Sequence, residues 1–229
     1  MTLTLGIDDA GRGPVIGSMV LAGVLVNKEQ DRLLKRHNIR DSKVVSHPER
    51  IKLSKFIKEN SLASRVELLT PNEIDSSIKS GTNLNTLEAI AMAKIINEIN
   101  KGKFVKEKIK IVVDCPSVNI KAWSATLLKY IRITENIELI CEHKADANHV
   151  SVSAASILAK VTREEEVDKI KKEYAQLGNV GSGYPADPFT KEFLRNHGEK
   201  LKDSGIFRKT WATWREIFPD KQQVTLKDF

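Results

Sequence analysis

The sequence predicts an α/β fold: strands and helices interspersed over residues 1–142, then a helical C-terminal part. Three observations predict it. Every apolar run of strand length falls before residue 142. One of them, Ile109–Val113, is continuous and β-branched, as in a strand buried on both faces of a central parallel sheet. From about Val150 to Leu177 the pattern turns helical.

Leu3–Ile7 reads as a first strand. A Gly-rich turn follows, then Ser18–Val26 as a second, and so short a turn predicts antiparallel pairing. Ser46-His47-Pro48-Glu49 has capping-box spacing and opens a helix over Pro48–Glu59. Leu62–Leu69 is a third strand. Thr70-Pro71-Asn72-Glu73 supplies an N-cap, a first-turn proline and an acid at N3, so a short helix follows. Leu84, Leu87, Ala91, Ile95 and Ile99 recur at helical spacing and predict a long amphipathic helix from about Asn85 to Asn100. Ser117–Tyr130 reads as a helix and Ile137–Cys141 as a fifth strand. Asp187-Pro188 opens a further helix to about Lys202. The segment from Pro219 to Phe229 is polar and reads as a tail.

The chain has 229 residues, 41% hydrophobic and 29% charged, with a formal net charge of +7. That length is enough for a sizeable core, and the composition excludes a disordered chain. No apolar run approaches the roughly 18 residues of a membrane span, so no membrane association is expected. The start, MTLTLGIDDAGRG, shows no secretory signal. Two cysteines, Cys115 and Cys141, are too few for a disulfide framework and lack zinc-site spacing. A cytoplasmic location is expected. The positive charge suggests a polyanionic partner.

Acids leave three of the strands: Asp8-Asp9 after the first, Asp114 at the end of the fourth, and Asp146 shortly after the fifth. An Asp in such a place is often only a turn-former or helix cap. Jointly, carboxylates at strand ends can converge. They then repel unless a hard cation such as Mg²⁺ or Mn²⁺ neutralises them. Two such ions make the clamp used in phosphodiester displacement. Gly11-Arg12-Gly13-Pro14 follows directly; it is a hairpin turn or a phosphate-facing backbone with an added guanidinium.

The residues also carry a resemblance. Gly6–Pro14, Asp41-Ser42-Lys43, Leu84-Asn85, Val113-Asp114, Glu142–Asp146, Val152–Arg163, Gly181–Pro185 and Arg208–Trp211 together resemble ribonuclease HII in its archaeal form, in order and over nearly the whole chain. The resemblance implies a ribonuclease H-like five-stranded mixed sheet flanked by helices. It divides the chain into a catalytic core at 1–178, a helical substrate-binding part at 179–218 and a tail at 219–229. It implies an endonuclease that hydrolyses the RNA strand of RNA–DNA hybrids and incises at ribonucleotides embedded in duplex DNA, leaving 5′-phosphates. Asp8, Asp9, Asp114 and Asp146 would be the catalytic, metal-binding acids for two ions. Gly11, Arg12 and Gly13 would read the 2′-hydroxyl and backbone, and Tyr184 would stack at the scissile nucleotide. Lys43, Lys144 and Lys160 are candidate phosphate contacts, though surface lysines are usually just solvated.

Asp9 stands where the family pattern reads Glu. The carboxylate sits roughly 1–1.5 Å farther back, one methylene shorter. Two further readings share the acids: a DNA endonuclease of the same superfamily, and a hybrid-binding protein weakened at Asp9. In the tail, Gln223, Leu226 and Phe229 resemble the archaeal PCNA-interacting peptide. Leu226 and Phe229, at i and i+3, would share one face of a helical turn.

Overall fold

The computed structural model describes residues 2–39 and 45–219. Lys43 and the tail residues Gln223, Leu226 and Phe229 lie outside the described residues. Five strands form one mixed sheet: β1 (Thr2–Ala10), β2 (Met19–Val26), β3 (Ala63–Leu69), β4 (Lys108–Asp114) and β5 (Ile137–Glu142), in the order β3-β2-β1-β4-β5. β1, β2 and β3 pair antiparallel; β4 joins β1, and β5 joins β4, in parallel.

Helices cover both faces. On one side α4 (Leu84–Ile99) and α5 (Ile120–Tyr130) pack Met92, Ile95, Trp123 and Leu127 against Leu3, Leu5 and Ile7 of β1 and Ile111 and Val113 of β4. On the other, α1 (Lys28–Arg36), α2 (His47–Glu59) and the 24-residue α7 (Val150–Glu173) pack against Val20, Ala22 and Val24. β2 is therefore buried at every position. α7 presses so close that a Cβ on Gly6 would meet the Ser151 carbonyl carbon at 2.2 Å, so only glycine fits in β1 there.

The caps act where the residues predict them. Thr70 and Glu73 reciprocate at the start of α3 (Pro71–Lys79), and Ser46 and Glu49 do so at α2. Asn27 and Gln30 form the same box and open α1, an element the sequence reading passed over. Three boundaries differ from expectation. The first strand, expected to end at Ile7, runs on to Ala10, because Asp8, Asp9 and Ala10 stay paired with β2. The helix expected from Ser117 begins at Ile120, because the Asn119 side chain caps the Ala122 N–H. The helix expected to reach Lys202 is α8 (Pro188–His197); it ends at Gly198, where a Cβ would strike the Phe218 ring.

Around α8, Val180, Phe193, Leu194, Phe207 and Trp214 form a separate small core with Val15 and Ile16. Trp214 belongs to α9 (Ala212–Ile217) and packs, with its ring tilted, against Phe207 and Phe218, at centroid distances of 5.1 and 4.6 Å. This C-terminal part is thus bolted onto the loop leaving β1. Cys115 and Cys141 are free thiols. No described helix is long and apolar enough to cross a membrane.

Candidate active site

β1 and β4 run parallel with Ile7 beside Val113, so the next residues, Asp8 and Asp114, lie side by side; Asp114 ends β4, whereas Asp8 and Asp9 lie inside β1. Strand alternation turns both toward α7: Ile7 and Val113 pack on the α4 side, whereas Val112 packs on Ala145 and Val152. Asp146 arrives on the single-turn α6 (Ala145–Asn148). The chain enters that turn through Lys144 in the left-handed region, at φ 58°, and the Lys144 N–H donates to Asp114 Oδ1 at 2.8 Å. Carboxylate oxygens of Asp8, Asp114 and Asp146 come within 4.8 Å of one another.

Asp8 is 6% exposed. Burial, then the charge of Asp9, pushes its carboxyl up to about 8; the Ser156 hydroxyl of α7, facing it, and the Asp9 N–H, donating at 2.8 Å, pull the other way. A site that makes ionisation this costly suits a cation. All its donors are hard carboxylate oxygens, so the residues fit Mg²⁺ or Mn²⁺ and do not fit a soft metal.

Asp9 alternates to the α4 face and is not brought into this trio of carboxylates. Burial, then the charge of Glu88 on α4, raises its carboxyl to about 7. Glu88 is fully buried in the apolar stripe of that helix, and burial raises its own carboxyl to about 7 against the pull of Arg12. Arg12 donates to Glu88 Oε2 and, at 2.8 Å, to Asn85 Oδ1. The Arg12 guanidinium thus turns inward, to Glu88 and Asn85 of α4.

That turn is gripped from the C-terminal part. Arg208, fully buried, donates to the carbonyls of Gly11, Arg12 and Gly17 at 2.7, 2.9 and 2.9 Å. Trp211 Nε1 donates to the Gly13 carbonyl at 3.0 Å. Buried Asp75 of α3 holds the same segment through the N–H groups of Lys209 and Thr210. In trans peptides N–H and C=O oppose each other, so the Arg12 and Gly13 N–H groups point away from Arg208. Gly11 sits at φ +79°, and a Cβ there would lie 2.4 Å from Arg163 Cδ. The turn lines an open groove of about 460 Å³ together with Asp9, Lys160, Arg163, Glu164 and Tyr184. Tyr184 is 41% exposed and approaches Gly13. Lys144 lies exposed beside Asp146.

Glu88, Ser156, Arg163 and Arg208 were not singled out from the sequence. Glu88 did carry a signal: a charge three and four residues from Ala91 and Leu84, on an apolar stripe. The other three stand inside motifs that marked a family but not which side chain turns inward.

Comparison with known proteins agrees with this geometry. The family model described as ribonuclease HII matches residues 5–214. A ribonuclease HII from Methanococcus maripaludis (strain C5) is 40% identical over 96% of this chain and 89% of its own. The crystal structure of ribonuclease H2 from Pyrococcus horikoshii OT3 superposes with a TM-score of 0.79 at 37% identity, covering 94% of this chain and 96% of that one. The ribonuclease HII in the PCNA complex from Archaeoglobus fulgidus does so with a TM-score of 0.77 at 30% identity, covering 99% and 100%.

Proposed function

The chain belongs to the ribonuclease HII family, and from that premise we propose that it incises duplex DNA at embedded ribonucleotides as well as RNA–DNA hybrids, by two-metal-ion phosphodiester hydrolysis that leaves 5′-phosphates. As a member of that family the protein is a metal-dependent ribonuclease H endonuclease. One observation carries the finer reading. The carboxylates of Asp8, Asp114 and Asp146 converge, and three residues after Asp8 comes a turn whose carbonyls Arg208 and Trp211 already hold.

Two divalent ions, when bound, would lower the pKa of the attacking water and stabilise the leaving 3′-oxygen. Asp8, Asp114 and Asp146 supply the negative charge that would hold them; Asp9, turned toward Glu88, adds its charge from outside that trio. The Gly11–Gly13 main chain reads the ribose 2′-hydroxyl, the group that separates RNA from DNA, without reading a base. Arg12 stays on Glu88 and sets the turn. Tyr184 offers a ring on which the nucleotide at the scissile linkage stacks, and so senses an RNA-to-DNA junction. Lys43, Lys144 and Lys160 hold phosphates, the use this reading gives to part of the net charge of +7.

A duplex carrying one ribonucleotide, incubated with Mg²⁺ or Mn²⁺, tests the reading. Cutting only at the ribonucleotide is expected. Cutting of all-DNA duplex would favour a superfamily DNA endonuclease, and binding without cutting would mark a degraded site.

The tail is the docking peptide in this reading. A relative of the same family is found in complex with PCNA, and Gln223, Leu226 and Phe229 have the spacing of a helical plug for a hydrophobic pocket. Removing residues 223–229 should leave the unstimulated rate unchanged and abolish stimulation by the clamp; unchanged clamp binding would eliminate the idea. A reducing cytoplasm suits the two free thiols.

A further inference from the structure

We propose that Arg163 is the positioning residue that fixes the Tyr184 ring against the Gly11–Gly13 turn, and that it thereby sets the preference for a lone ribonucleotide in DNA over a uniform hybrid. The inference rests on the reading of Tyr184 given above.

The loop carrying Tyr184 does not orient its own ring. Gly181 and Gly183 both take positive φ, at 75° and 83°. Asp187 and Thr190 accept the Ser182 and Gly183 N–H groups at 2.6 and 2.9 Å, bonds that place the backbone and do not touch the ring. What meets the ring is Arg163. Its guanidinium carbon lies 4.8 Å from the ring centroid, and its Nη2 donates to the Ser182 carbonyl at 3.0 Å.

The same side chain reaches the other reading element. Its Cδ and Nε fill the space that a Cβ on Gly11 would need. Arg163 therefore touches both the turn and the tyrosine loop, and it projects from α7, the long helix packed across β1 and β2. No carboxylate ion-pairs with it among the described residues. The adjacent Glu164 is engaged by His47 and Arg50 instead. A planar cation so placed orients a ring; a lysine keeps the charge but not the plane.

A uniform hybrid offers 2′-hydroxyls along its whole RNA strand. A lone ribonucleotide is read only where the turn and the ring meet, so loss of their alignment falls on that substrate.

The test compares kcat/KM of the full chain on a duplex with one ribonucleotide and on a uniform RNA–DNA hybrid. Arg163→Lys keeps the stem that packs on Gly11, and an unchanged Tm checks that it folds. Losing the stacked plane should lower kcat/KM about tenfold on the single-ribonucleotide duplex and less than about threefold on the hybrid. On a Tyr184→Ala background the same change should add no further discrimination, whereas Tyr184→Phe, which keeps a ring, should retain the preference. Equal losses on both substrates, or additive losses in the double variant, overturn the proposal. If Tyr184→Ala shifts the preference and Arg163→Lys does not, this proposal alone fails. If Tyr184→Ala leaves the preference unchanged, the reading of Tyr184 fails and takes the proposal with it.

Discussion

Asp8→Asn should abolish cleavage, by on the order of 10³-fold or more, while the metal-free protein becomes more stable. The two effects share one cause. Asp8 lies on β1 beneath α7, 6% exposed, with Asp114 and Asp146 beside it and Asp9 next in sequence. Folding raises its carboxyl from 3.8 to about 8, so the folded chain holds this proton more tightly than the unfolded chain. The stability of the metal-free protein therefore falls as pH climbs through that window and levels off above it. Asparagine carries no charge to bury, so the variant should lack that slope and melt a few degrees higher at pH 8, at about 2–4 °C for each kcal/mol in a chain of this size. Mg²⁺ should flatten the slope in the parent protein, because the ion competes with the proton for the same oxygens. Binding of hybrid should survive the substitution, since the proposed phosphate contacts are lysines that it leaves in place. Melting curves at pH 5 and pH 8, with and without Mg²⁺, read all of this. Near-full activity in Asp8→Asn would end the metal-dependent reading of the site.

Arg208→Met carries the second large effect, this time on stability. One buried guanidinium serves the carbonyls of Gly11, Arg12 and Gly17 and stacks on Trp211 at 4.9 Å. Burial, and the nearby charge of Arg163, lower its pKa to about 9, yet the contacts keep it in place. Methionine fills similar volume and strands three carbonyls, each worth about 1 kcal/mol or more, so a loss of about 3–5 kcal/mol is expected. Urea unfolding should show a lower midpoint at unchanged slope. The surviving activity should show a raised KM, because the turn proposed to read the ribose loses its backing. A loss below about 1 kcal/mol would mean that the carbonyls find other donors.

The first strand, the capping boxes at Ser46 and Thr70 and the long α4 stripe were legible because each is a local pattern with one physical outcome. Asn27 and Gln30 form an equally local box that was overlooked. The boundary of α8 was not legible, because it depends on Phe218, distant in sequence, meeting Gly198. The four acids were legible as strand-end residues, yet their grouping was not. Asp8 and Asp9 are adjacent in sequence and face opposite sides of the sheet, so one joins Asp114 and Asp146 while the other meets Glu88. Arg12 reads as a ligand-facing cation, but burial of Glu88 claims it first.

What the sequence determined by itself is the α/β order, the caps and the residue types a hydrolytic metal site needs. These follow from period, propensity and chemistry within a few residues of one another. What only the tertiary structure decided is which side chains meet: Asp8 with Asp114 and Asp146, Arg12 with Glu88, Arg208 with the Gly11–Gly13 turn, Arg163 with Tyr184. Those pairings span up to 197 residues of chain. They are set by the register of β1 on β4, by the side that alternation assigns to each acid, and by the C-terminal core closing on the loop after β1.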